Sequence, residues 1–98
     1  MSSYFAFYPI SNGANLALST SASAATALGN APQVRFANTG TVNVYLRFGG
    51  ASVAATSTDM TIQPGVTEIY TIPEGATHFS AMAAAGTPTL NYTLGRGL

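Results

Sequence analysis

The sequence predicts an all-β protein: a single small β-sandwich or partly closed barrel of about seven short antiparallel strands, with an N-terminal arm. Three observations predict it. Apolar and polar residues alternate at period 2 in several short runs. Pro, Gly and Asn turn chemistry separates those runs. No segment requires a helix.

The clearest run is "TVNVYLRFGG". Val42, Val44, Leu46 and Phe48 take alternate positions with Asn43, Tyr45 and Arg47 between them, so one face is apolar and the other polar, as in a half-buried antiparallel strand. In the preceding "QVRFANTG", Val34 and Phe36 flank Arg35, and residues 38–40 supply a turn, so the two runs read as a hairpin. "DMTIQPG" places Met60 and Ile62 before a turn in which Pro64 fixes φ and Gly65 accepts a positive one. "VTEIYTIPEG" sets Val66, Glu68, Tyr70 and Ile72 against Thr67, Ile69 and Thr71, and residues 73–75 close that strand. "THFSAMAAAG" sets Phe79, Ala81 and Ala83 against His78, Ser80 and Met82. Its "AMAAA" has helix propensity, but the run is too short for a stable helix and Thr, Gly and Pro crowd it. "TLNYTLGRG" sets Leu90, Tyr92 and Leu94 against Asn91 and Thr93. Weaker strand candidates lie near residues 15–20 and 52–55. Residues 33–98 therefore form the expected β-sandwich core. Residues 1–32 form the expected N-terminal arm and weakly periodic segment, in which the aromatic cluster "YFAFYPI" precedes "STSASAATALGNAP".

With 98 residues the chain can build one domain around a two-layer core, with a folded surface of about 5,200 Å². Charged residues make up 6% of it, where ordinary proteins carry roughly a quarter. A neutral chain with so little charge tends to associate and suits an assembly. Three Arg and no Lys give no basic stripe to neutralise phosphates, so no nucleic-acid partner is expected. The absence of Cys excludes a disulfide framework and a thiolate metal site. "MSSYFAFYPISNG" lacks the basic n-region of a secretory signal, and the longest purely apolar run, "AMAAA", cannot span a membrane.

Groups capable of chemistry are few. One His, one Asp and two Glu do not make a usual zinc site without Cys, and no metal is expected. Ser52 in "GGASVAA" lacks the Gly-x-Ser-x-Gly elbow. "GRG" at residues 95–97 is followed by no helix that could bind phosphate. Both read as turns. Glu68 and Glu74 could form the carboxylate pair a glycosidase uses, but so small a sandwich offers little cleft. Asn91 in "NYT" matches the glycosylation acceptor pattern and reads as a position inside a strand. "IPEGATHFSA" holds the one histidine four residues after Glu74. It reads as a corner, with His78 opening the next strand and bonding a neighbour rather than catalysing. No catalytic residue and no cofactor are expected, and the chain is not read as an enzyme.

The series "VRFANTG", "VYLRFGG", "DMTIQPG", "EIYTIPEGATHFSAM" and "GTPTLNYTLGRG" resembles small all-β structural proteins of tailed bacteriophage virions, among them head decoration, or cement, proteins. The likeness lies in the order of strand and turn signatures, covers about residues 33–98, and does not reach the arm. It implies a protein made in the host cytoplasm and located in the virion on the capsid surface, where it binds the major capsid protein and bridges neighbouring subunits. It also implies a homo-oligomer, a trimer if it occupies local threefold positions.

Interface centres are apolar and aromatic, so Tyr4, Phe5, Phe7, Tyr8 and Ile10 of the arm are candidate anchors. The plainer reading makes them the first edge strand of their own sheet. Tyr45 and Arg47, on the polar face of the clearest strand, are candidate contacts because Tyr and Arg are enriched at energetic centres of interfaces. The plainer reading there is an ordinary solvated face. A second functional reading is a carbohydrate- or receptor-binding β module on a phage fibre or tail, with Tyr rings as platforms for sugars.

Overall fold

The computed structural model describes residues 7–96, without the Tyr8 side chain. Among them no helix forms, and nine strands appear in chain order: β1 (Tyr8–Pro9), β2 (Ala14–Ala17), β3 (Thr26–Ala27), β4 (Gln33–Asn38), β5 (Val44–Gly49), β6 (Met60–Ile62), β7 (Thr67–Thr71), β8 (His78–Ala83) and β9 (Thr89–Arg96). The all-β expectation therefore holds. Every pairing is antiparallel.

The strands divide between two sheets. In the first, β9 pairs β4 and β4 pairs β7, while β1 and β2 share the outer edge of β9, one opposite residues 95–96 and the other opposite residues 89–92. The second runs β3-β8-β5-β6. With β1 and β2 counted as one interrupted strand, the two orders are 2-9-4-7 and 3-8-5-6, the strand order of an eight-stranded jelly roll.

One core lies between the sheets. Val34, Phe36 and Leu90 enter it from the first, and Val44, Leu46, Ile62, Phe79, Ala81 and Ala83 from the second. These are the inward positions of the alternating runs. Phe36 meets Phe79 across the sheets edge to face at 5.0 Å, and Phe79 meets Tyr92 at 5.1 Å. Such pairs add about 0.5–1.5 kcal/mol beyond their area. Ala81 and Ala83, both fully buried, leave room beside Phe79 for the rings from the opposite sheet.

Four expectations need correction. "QVRFANTG" and "TVNVYLRFGG" are not a hairpin, because β4 pairs β7 and β9 while β5 pairs β6 and β8. Their apolar faces meet across the core, and the turn between them carries the chain from one sheet to the other. Residues 14–32 do not stand apart from the sandwich. They supply β2 and β3, and Leu18 and Leu28 are buried in the core. Periodicity failed there because the segment beyond β2 follows β8 irregularly, through bonds such as Ser23 N–H to Ala81 O at 2.8 Å and Leu28 N–H to Thr77 O at 2.9 Å. Residues 52–55 are a connection, not a strand. Gly95 and Arg96 end β9 rather than forming a turn, since Gly95 pairs with Pro9 on one side and Gln33 on the other.

Candidate interaction surface

The residues singled out in the sequence fall on two separate elements. Tyr4 and Phe5 lie outside the described residues. Phe7 is half-buried just ahead of β1, whose two residues pair with the end of β9. Ile10 follows, 52% exposed, its N–H bonded to Leu94 O at 3.0 Å. This stretch is an edge strand of the first sheet. Tyr45 and Arg47 stand instead on the outer face of the second sheet, Tyr45 between Thr61 and Met82, and Arg47 beside Ser80.

Arg47 is not a free cation. Its Nε donates to Asp59 Oδ1 at 3.1 Å. Asp59 Oδ2 accepts from the Thr56 N–H at 2.6 Å and from the Thr56 hydroxyl at 3.2 Å. The Thr56 backbone donor is the main reason the Asp59 carboxyl sits below its ordinary pKa, with the Thr56 hydroxyl and the Arg47 charge adding to it against a smaller opposing effect of burial. The connection 50–59 thus folds back over this face. Gly49 permits the fold-back, since a Cβ there would come within 2.9 Å of Val53 Cγ2.

Beneath that connection Ser80 is fully buried although its strand position points outward. Its hydroxyl accepts from Ala55 N–H at 3.0 Å and donates to Ser23 O at 2.9 Å. The other buried polar junction is Asn38, where the chain leaves the first sheet. Its Nδ2 donates to Val42 O at 2.9 Å and Ile62 O at 2.8 Å, and its Oδ1 accepts from Gly40 N–H at 3.1 Å. Neither residue drew notice as a buried group in the sequence.

The "IPEGATHFSA" stretch is the corner expected of it. Ala76 N–H closes a turn onto Pro73 O at 3.0 Å, with Gly75 at φ 87° as the third residue of that turn requires. His78 opens β8, and its Nδ1 lies 2.8 Å from the Thr77 hydroxyl. Glu68 on β7 accepts a hydrogen bond from the Tyr70 hydroxyl. Partial burial first, then this bond and the Glu68 charge, raise the Tyr70 pKa and keep the phenol neutral.

The outer face of the first sheet is open only in part: Ala37 and Thr93 are buried there, while Thr67 and Ile69 are exposed. Arg35 is flanked across the ladder by Thr93 and Ile69, with Asn91 and Thr67 on either side of Ala37 in the next row. Ile69 is 45% exposed. Arg35 has no acidic or hydrogen-bonding partner among the described residues. Outward positions 35 and 69 were legible in the alternation, but nothing in it marked them as neighbours. At one end of the molecule a shallow groove of about 360 Å³ lies between residues 40–42 and 85–88. Its lining has no titratable side chain, so it offers no acid–base chemistry. The chain matches no protein-family model, no curated protein and no solved structure.

Proposed function

We propose that the protein is a virion structural protein that binds the outside of a phage capsid and bridges neighbouring subunits, a decoration or cement protein. The observation that carries this reading is how the reactive side chains are used. Asp59, Glu68, His78, Asn38 and Ser80 each hold a hydrogen bond within the fold. The outer face of the first sheet presents Thr67 and Ile69, both exposed, beside the half-buried Arg35 and Asn91. Such a face is cheap to desolvate, which favours stable contact with another protein surface. A jelly-roll strand order also recurs in viral capsid domains, an argument from analogy. Binding to the assembled shell alone would stabilise that shell by linkage.

The test is sedimentation of undecorated heads with the purified protein, full length and lacking residues 1–12. Saturable co-sedimentation that weakens on truncation supports the decoration role and places the N-terminal edge at the contact. A folded full-length protein that stays in the supernatant refutes it. The second reading, a sugar-binding module on a fibre or tail, draws on the same strand order, which lectin domains share. Reproducible binding of the free protein on a glycan array would favour it.

A further inference from the structure

The four sheet edges are not equally protected. The β1/β2 edge carries Pro9 and is interrupted between the two strands. The β3 edge has two residues. The β6 edge has three, bounded by the Arg47–Asp59 ion pair and by Pro64. Short strands, prolines and breaks are the usual devices against edge-to-edge pairing. β7 has none of them: it is five residues long, "TEIYT", and among the described residues only β4 pairs with it.

The register shows which backbone groups of β7 are open. Asn38 N–H bonds Val66 O at 3.0 Å, and Ile72 N–H bonds Pro32 O at 2.9 Å. Antiparallel ladders alternate bonded and non-bonded pairs. Glu68 and Tyr70 therefore bond towards β4, and Thr67, Ile69 and Thr71 aim their N–H and C=O groups at the open edge.

We infer that this edge takes a second copy of the chain, by antiparallel β7–β7 pairing with Ile69 on the two-fold axis. "TEIYT" is self-complementary in that register. Ile69 faces the second copy's Ile69, and Thr67 faces its Thr71, so all three open positions of each strand meet open positions and about six hydrogen bonds form. The half-exposed Ile69 side chains cover one another. Thr lies beside Thr, a favourable cross-strand pair. Glu68 faces the second copy's Tyr70 instead of another carboxylate, so no like charges meet. The contact is isologous and closes at two chains, joining two sheets, each four strands wide, into one continuous sheet. It does not rest on the capsid reading: failure to bind heads leaves it standing, and its failure leaves that reading untouched.

Cross-linking and mass measurement test it on the full chain. With no native Cys, Ile69→Cys should form a disulfide-linked dimer on mild oxidation, because bonded antiparallel partners have Cα atoms about 5.5 Å apart, inside the disulfide range. Thr71→Cys alone should not, since four residues of offset separate the two copies by more than about 13 Å. Thr67→Cys with Thr71→Cys should cross-link again. Sedimentation equilibrium should give twice the chain mass for the wild type and the chain mass for Ile69→Lys, an exposed substitution whose fold is checked by circular dichroism. A wild type that stays monomeric up to its solubility limit, cross-linking by Thr71→Cys alone, or a trimer insensitive to Ile69→Lys would each overturn the inference.

Discussion

Asn38 and Ser80 are both polar, both essentially inaccessible to solvent, and both fully bonded, yet they are buried for different reasons. Asn38 sits where the chain crosses between sheets and holds together segments up to 24 residues apart, β4, the turn after it and the end of β6. Its backbone adds to the junction, its N–H bonding Val66 O at 3.0 Å and its O accepting from Gly65 N–H at 2.8 Å. Ser80 sits in the middle of a sheet on an outward-facing position, and is buried only because two irregular segments, around Ser23 and Ala55, lie over it. The first junction defines the topology. The second fastens loops to a sheet that already exists. Damage at Asn38 should therefore unfold the domain, while damage at Ser80 should loosen its covering.

The largest expected effect is that of Asn38→Leu. It leaves two carbonyls and one N–H without their partner and should cost about 3 kcal/mol, lowering Tm by roughly 12–24 °C in a domain of this size. Thermal unfolding checks it, and a loss of only about 1–2 kcal/mol, the cost expected at Ser80, would equate the two junctions. Gly40→Ala probes the same crossing from outside, because a Cβ there would stand 2.8 Å from Pro88 Cβ. The proline ring has little freedom to move, so a cost of about 1–3 kcal/mol is expected, read by urea denaturation.

Ser80→Ala should cost about 1–2 kcal/mol, from the orphaned Ala55 N–H and Ser23 carbonyl. Hydrogen exchange should localise that change, with protection lost at Ala55 and retained at the Asn38 and Gly65 amides, which belong to the other junction.

The smallest effect is electrostatic. The Asp59 carboxyl has a folded pKa below its unfolded value, so its contribution is fully present above the ordinary carboxylate range and disappears as pH falls through the folded pKa. Asp59→Asn should flatten the acid limb of the Tm–pH curve. Arg47→Ala should flatten it less, because the Thr56 N–H outweighs the Arg47 charge. Equal effects of the two would mean that the ion pair, not the turn, anchors the connection over Ser80.

The alternating runs were legible because burial on one face of a strand needs only a local pattern. Val34, Phe36, Val44, Leu46, Phe79 and Leu90 are all core residues, as their positions in those runs require. The outward placement of Tyr45, Arg47 and Ile69 was legible on the same ground. Asp59 as the partner of Arg47 was not, since "DMTIQPG" points to a turn and a strand but carries no sign of what the acid faces across the sheet. Leu18 and Leu28 were missed because small residues and irregular pairing around them hide the period.

By itself the sequence determined the strand class, the turns at Pro64-Gly65 and Pro73 to Gly75, and which side of most strands is apolar, because these follow from torsional preference and from period-2 burial within a few residues. Only the tertiary structure decided that β4 and β5 part into different sheets, that residues 14–32 complete both sheets, that Ser80 is covered, and that β7 pairs on one side only among the described residues. Those outcomes depend on which apolar faces meet and on where buried donors such as the Asn38 amide find acceptors. Such partners are far apart in the chain and leave no mark on the residues beside them.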